Sequence, residues 1–383
     1  MIKMRTLTEQ DFDEAIKLSE YAFQYKVSNE DYERRINMLK SHEIWGEYED
    51  EALISKLHIL HMQINIGNKL FEIGGVAGVA TYPEHRRKGS VSRLLRQSLL
   101  SMKERGQTIS LLHPFDIAFY RRFGWELTAS VKKYTLEKKD LFRYPDGPGR
   151  IMRFGKDEGN DVLNTIYEQW FEKYNHMLVR RNDTWWNHHV FTDGYNRVVY
   201  FNENNEAEGY LCCKAADKLL DVQEMVYVTE AARRALWNFI AQHDSMVDKV
   251  KIIAPNDDQL PFLLQNPRIT QETHPYFMAR IVDVEAFLKQ YEFENITRPI
   301  TIAVTDKQCS WNNAAFQIGP GGVTPGDSST GLTMDVGTLT AVLLNAVPAA
   351  VLYETGQITG PREDLNALVS AATKKPVCFI DFF

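Results

Sequence analysis

The chain has 383 residues, 44% of them apolar and 25% charged, which is the balance of an ordinary globular protein long enough for two or three cores. A formal charge of −7 argues against a general nucleic-acid binder and mildly favours cationic or neutral ligands. No apolar run approaches the length of a membrane span, and the start, MIKMRTLTEQDFDEA, lacks the apolar segment of a signal peptide.

In chain order, MRTLT reads as a short strand. EQDFDEAIKLSEYAF reads as a helix, with Phe12, Ala15, Ile16 and Leu18 near a period of 3.6. ALISKLHILHMQINI alternates for long enough to be an antiparallel strand, turning at Gly67 to Lys69. The glycine-rich strand FEIGGVAGVATYP follows and is stopped by Pro83. After EHRRKG comes a helix from Ser90 to Arg105 with Val91, Leu94, Leu95, Leu99 and Met102 on one face and Gly106 at its C′ position. TISLLHP is a short buried strand, and FDIAFYRRFGW one or two helical turns ending at Gly124.

The breaker cluster YPDGPGR, Tyr144 to Arg150, marks a boundary. Beyond it the segment types mix again as far as the helical DVEAFLKQYEF. Within this stretch RRNDTWW is basic, but no glycine follows it to open a helix. Trp185 and Trp186 suit a core between domains better than a ligand box. His188 and His189 are adjacent, so they diverge in a helix or a strand and do not suggest a metal site. The four cysteines, Cys212, Cys213, Cys309 and Cys378, form no CxxC pair and have no histidine at zinc spacing. Cys212 and Cys213 fill strand core positions, and a reduced, cytoplasmic, metal-free protein is the simplest expectation. From NITRPITIAV onward come strands, the loop GPGGVTPGDSSTG and a helix over Val336–Val347 with Leu339, Val342, Leu343 and Val347 on its apolar face. The terminal run KKPVCFIDFF reads as a buried strand with no polar tail.

The strand–RRKG–helix junction carries the chemistry. A glycine at the mouth of a helix lets a phosphate reach N–H groups that have no intrahelical partner. Arg86, Arg87 and Lys88 add positive charge, and Gly74, Gly75, Ala77 and Gly78 let a ligand approach the strand backbone. These residues by themselves fit a pyrophosphate site or a solvated basic turn. The stretch Arg86-Arg87-Lys88-Gly89-Ser90-Val91 resembles the Arg/Gln-x-x-Gly-x-Gly/Ala motif of the GNAT superfamily, the acetyl-CoA-dependent N-acetyltransferases. Val91 departs from the small residue of that motif. FYRRFGW resembles the following motif, whose tyrosine faces the cofactor sulfur.

VATYPEHRRKGSVSRLL, IAFYRRFGWE, RRNDTWW and the terminal run, in that order, resemble the enhanced intracellular survival (Eis) family over essentially the whole chain. The fold class implied is α/β (α+β). Residues 1–148 would be a GNAT domain with the acetyl-CoA site, 149–290 a degenerate second copy, and 291–383 a sterol-carrier-like domain that delivers the C-terminus. The strand-end backbone of Val79, Ala80 and Thr81 would pair with the pantetheine arm. Arg86, Arg87, Lys88, Gly89, Ser90, Val91 and Ser92 would hold the pyrophosphate. Tyr120 would protonate the leaving thiolate, and the carboxylate of Phe383 would take a proton from a primary amine. The resemblance also implies a homo-hexamer and a small-molecule or peptide acceptor such as an aminoglycoside, polyamine or lysine side chain. It implies neither nucleic-acid nor membrane partners. Lipid binding by the last domain, with the GNAT halves inactive, and use of another acyl donor are the alternatives.

Overall fold

The computed structural model describes residues 2–155, 158–180, 185–186 and 194–383. It divides into two compact units. The first comprises Met1–Thr128, Phe277–Lys374 and Phe383, and the second Ala129–Tyr276 and Lys375–Phe382.

The first unit begins with β1 (Ile2–Thr6), α1 (Phe12–Phe23) and α2 (Asn29–Lys40), followed by β2 (Glu43–Glu49), β3 (Ala52–Ile66) and β4 (Lys69–Thr81). Then come α3 (Ser90–Glu104), β5 (Ile109–Leu112) and α4 (Ile117–Arg121). Strands β1 to β4 form an antiparallel meander, and β5 adds in parallel to β4. That last step requires a crossover, and α3 supplies it. Leu94, Leu95, Leu99 and Met102 of α3 are fully buried against the sheet, as their spacing predicts. Gly106 takes φ +73 behind the helix, where a side chain would be strained. The sequence reading passed over α2 and β2. Helix α2 has only one buried residue, Leu39, and so has almost no apolar period to detect.

In the second unit β6 (Glu126–Glu137), β7 (Arg150–Phe154), α5 (Asn160–Phe171), β8 (Asn196–Phe201), β9 (Ala207–Ala216), β10 (Leu219–Tyr227), α6 (Glu230–Ala241) and β11 (Lys249–Pro255) repeat the plan. Strands β7 to β10 run antiparallel, β11 joins β10 in parallel, and β6 closes antiparallel on β11. Cys212 and Cys213 are buried in β9, as expected. Trp186 packs on Tyr167 and Tyr210 within this unit's own core, so it is not the core between domains that the sequence suggested. His188 and His189 lie outside the described residues.

The chain returns to the first unit in β12 (Thr270–Ile281), whose Met278–Ile281 pair antiparallel with β5. Next come a helix Val284–Gln290 and a small sheet of Ile300–Thr305, Ala314–Gly319, Gly322–Pro325 and Leu332–Asp335. A helix Val336–Leu343 is buried at every residue and stops short of the predicted Val347, because Asn345 takes φ +55 and Pro348 follows. Arg280 is completely buried, bonded to Asp306 and to the Phe123 carbonyl, which ties this module to β12 and the α4 turn. Division by compactness thus follows strand pairing, with breaks near Thr128 and Tyr276, whereas the sequence reading drew its boundaries at 148, on the breaker cluster, and at 290, at the end of a helix.

The terminal run is extended, and among the described residues its one bridge joins Asn175 and Val377, with no ladder after it. Phe382 is 53% exposed, Cys378 and Phe379 are buried, and Phe383 is half-buried.

Candidate active site

Strand β4 is longer than its parallel neighbour. The β4–β5 ladder ends at Val76↔Leu112, and β4 continues to Thr81 while still paired with β3 on its other side. Along Ala77–Thr81, alternate N–H and C=O groups therefore point away from β3 with no strand to receive them. Ala77, Gly78 and Val79 become partly exposed there. A bulge sharpens the opening: Lys56 pairs with Ala80 and His58 with Ala77, so Gly78 and Val79 stand opposite the single residue Leu57. Gly78 takes φ +55, and a Cβ there would lie 2.9 Å from the His58 ring. Val79, Ala80 and Thr81 thus lie along this opening, although the Ala80 carbonyl already accepts from Ser55 Oγ at 3.0 Å.

Beyond Thr81 a short turn, Pro83–His85, leads to the basic residues, all exposed. Arg87 and Gly89 both take left-handed backbone, at φ 62 and 85. Gly89 is the N-cap of the fifteen-residue α3 and has no side-chain cap. The first intrahelical bond runs from Arg93 N–H to the Gly89 carbonyl, which leaves the N–H groups of Ser90, Val91 and Ser92 facing out of the helix end. Ser90 is buried, and Val91 packs on the cluster beneath α3.

The sequence reading missed the brace behind this turn. Arg93 bonds the Lys88 carbonyl at 2.9 Å and pairs with Glu47, which is fully buried in β2. One guanidinium therefore fixes both ends of the loop. An arginine three residues into a helix gives no sequence signal that its partner lies in a strand more than forty residues earlier.

Tyr120 sits in α4, whose N-cap Asp116 accepts from Phe119 N–H at 2.9 Å. Its ring is 3% exposed, edge-on to Phe115, Phe119 and Trp125. It belongs to the cluster that includes Val76, Leu94 and Leu112, on the α3 side of the sheet. Burial pushes its phenol well above the ordinary value, so the hydroxyl keeps its proton.

Phe383 lies on the opposite side. A Cβ at Gly74 would strike Met102 of α3, whereas a Cβ at the next residue, Gly75, would lie 2.7 Å from the Phe383 ring. Successive strand residues face opposite ways. Phe383 therefore packs on the face away from α3, its ring 5.1 Å from that of Phe277. Gly74 and Gly75, which the sequence offered for close approach of a ligand, are instead buried beneath Met102, Met62 and Phe383, and only Gly78 lies partly exposed at the opening.

On that same face β3 places Lys56 and His58, both buried. Lys56 Nζ is 2.7 Å from His58 Nε2 and donates to the Gly78 carbonyl at 3.2 Å. The sequence reading singled out neither residue, though a lysine and a histidine two apart on the apolar side of a long strand were a usable signal. Among the described residues no cluster of three or more metal-ligating side chains occurs.

Residues 3–128 match one family described as an acetyltransferase (GNAT) domain, residues 177–281 match a second, and residues 284–379 match a sterol carrier protein domain. The chain is 24% identical to an uncharacterized N-acetyltransferase of Streptomyces avermitilis, over 92% of this chain and 91% of that one. It is 25% identical to N-acetyltransferase Eis of Mycobacterium tuberculosis, over 82% and 81%. Among solved structures, a protein of Enterococcus faecalis V583 described as "Probable N-Acyltransferase" superposes with a TM-score of 0.91 at 26% identity, covering 98% of both chains. Eis1 of Mycobacterium abscessus shares the fold, with a TM-score of 0.83 at 20% identity over the full length of both.

Proposed function

Starting from the chain's membership of the Eis-type N-acetyltransferases, two GNAT domains followed by a sterol carrier protein domain, we propose that it acetylates primary amines at a single site in the first unit. The acceptor class would be aminoglycoside-like, polyamine or lysine-type amines. One observation carries the reading: β4 outruns its β5 ladder and leads directly into the glycine-capped start of α3.

In this reading acetyl-CoA is the co-substrate. Its pantetheine arm adds to the open edge of Val79–Thr81 as a further strand would. The pyrophosphate lies against the N–H groups of Ser90, Val91 and Ser92, where the helix dipole and Arg86, Arg87 and Lys88 favour negative charge. Val91 does not obstruct this, because its side chain turns into the core.

Proton movements then divide between the two faces of β4. The Phe383 carboxylate, on the acceptor side, takes a proton from the substrate ammonium, directly or through a water. The freed amine nitrogen attacks the acetyl carbon. As the carbon–sulfur bond breaks, Tyr120 donates its hydroxyl proton to the departing thiolate. Each transfer removes a charge that would otherwise develop at the reacting atoms. A terminal carboxylate begins near pKa 3.3–3.7, so it is ionised at neutral pH and attracts cations, consistent with the acidic chain. The second unit carries no Arg-x-x-Gly ahead of a helix, which supports one site per chain.

The test is release of free thiol from acetyl-CoA with a panel of polyamines, aminoglycosides and lysine peptides. Turnover with at least one of them is expected. Silence with all of them, alongside saturable sterol binding, would favour the lipid-binding alternative. That alternative draws on a cleft of about 580 Å³ bordered by Leu288, Tyr291, Phe293, Ile318 and Val323. The cleft does not border Val336–Leu343, whose apolar face is spent on its own core.

A further inference from the structure

Lys56 is completely buried, yet its recorded partners are His58 Nε2 at 2.7 Å and the Gly78 carbonyl at 3.2 Å, neither of which is an anion. The other charged group acting on it is the cation Arg35 of α2. The polar chain continues outward: His58 Nδ1 lies 3.2 Å from Nδ1 of His42, which is half-buried at the turn between α2 and β2. We propose that Lys56, His58 and His42 form a proton-transfer chain that drains the acceptor amine's proton from the acceptor face of β4 to the surface. This rests on the acetyl-transfer reading above.

Placement supports it. His58 is opposite Ala77, and Ala77 lies two residues along β4 from Gly75, on which the Phe383 ring rests. Residues i and i+2 share a face about 7 Å apart, which puts the inner end of the chain beside the residue that bears the terminal carboxylate, across a gap that water would have to span. The Gly78 carbonyl that Lys56 holds belongs to the bulge where the open edge of β4 begins.

The chemistry is balanced in N–H bonds alone. Burial brings the Lys56 ammonium down to about 7 and holds His58 neutral. Lys56 thus offers a lone pair at neutral pH. A proton arriving at Lys56 Nζ lets a different one of its protons pass to His58 Nε2. His58 then gives its Nδ1 proton to Nδ1 of His42, and His42 releases its Nε2 proton outward. Two facing Nδ1 atoms need one donor and one acceptor, so the rings hold opposite tautomers before the transfer and exchange them during it. No group is left charged, and the exchanged tautomers are restored before the next turnover by proton exchange with water, since reversal through the same bonds would return the proton inward. Arg35 opposes lasting protonation of Lys56 and His58, which favours passage over storage.

The experiment compares wild type with His42→Ala, His58→Gln and Lys56→Met. Steady-state acetylation of an accepted amine is measured from pH 6 to 9, with imidazole buffer varied at constant ionic strength. Wild-type kcat should be indifferent to buffer. His42→Ala should lose about tenfold in kcat, less than the 10²–10⁴-fold of a direct proton transfer because only the exit is removed, and recover with added imidazole. KM for acetyl-CoA should be unchanged. His58→Gln and Lys56→Met should lose kcat without rescue while retaining acetyl-CoA binding. A structural role would change the melting temperature of His42→Ala but give no buffer dependence. If folded His42→Ala and His58→Gln keep wild-type kcat across the range, the proposal is overturned and the acetyl-transfer reading stands. If wild type acetylates no amine, both fall.

Discussion

The Phe383 ring rests on Gly75, in space that a side chain on β4 would fill: a Cβ at Gly75 would lie 2.7 Å from Phe383 Cε2 and 2.9 Å from Cζ. Gly75→Ala should therefore displace the Met62 methyl, which lies closer still to the same point, and the terminal ring together with its carboxylate. We expect kcat to fall severalfold or more while the dissociation constant for acetyl-CoA, measured by calorimetry, holds. The overpacking should cost about 1–3 kcal/mol, read as a lower melting temperature.

Two changes at the terminus separate the carboxylate from the ring. Adding two glycines after Phe383 keeps the ring but moves the carboxylate, and should reduce kcat by about 10²-fold or more. Phe383→Ala keeps a terminal carboxylate but loses the packing on Phe277 and Gly75, so an intermediate loss is expected. Full activity of the extended chain across pH would remove the terminal base from the mechanism.

Tyr120→Phe deletes one hydroxyl from a packed aromatic cluster, so folding should be preserved. Loss of a general acid should lower kcat by about 10²–10⁴-fold with little effect on acetyl-CoA affinity. Because burial raises the phenol above its ordinary value of 10, the acidic form persists through the working range. The wild-type kcat profile should consequently show no falling limb from Tyr120 below pH 10.

Arg93→Met leaves the fully buried Glu47 without its partner. Isolating a buried charge costs about 3–5 kcal/mol, and the loop from Lys88 to Ser90 loses its brace. Both a lower melting temperature and weaker acetyl-CoA binding are expected. The double variant Glu47→Gln, Arg93→Met should regain stability without regaining affinity, which calorimetry can distinguish.

Lys56 gives a pH signature of stability. Its folded value, about 7, lies below the ordinary 10.5, so between these limits the unfolded chain binds the additional proton. Stability should therefore rise with pH from about 7 to 10.5, and the penalty should be present in full below pH 7. Lys56→Met should be more stable than wild type at pH 6, by up to a few kcal/mol, and should show a flatter profile in denaturant titrations. A variant that is at once more stable and slower would not fit a purely structural lysine.

Much of the frame was legible because it is local. The alternation from Ala52 to Ile66 and the period of Leu94, Leu95, Leu99 and Met102 record which face each element buries, and burial governs both patterns. The basic junction ending in Gly89 was also local, since a left-handed residue before a helix must be written into the sequence at that point. Helix α2 was not legible, because a helix that buries only Leu39 carries no stripe. The terminal run shows the opposite case: Cys378 and Phe379 are buried, yet among the described residues the run joins no ladder beyond the bridge at Val377.

By itself the sequence determined many of the elements and the basic turn that ends in Gly89 before α3, because each depends on neighbours within a few positions. Only the tertiary structure decided that β4 outruns β5, that Tyr120 and Phe383 lie on opposite faces of β4, and that Arg93 reaches Glu47. It also decided that Lys56, His58 and His42 join into one chain. Those relationships depend on register and strand order, which bring together residues tens to hundreds of positions apart, and no local pattern encodes such a distance.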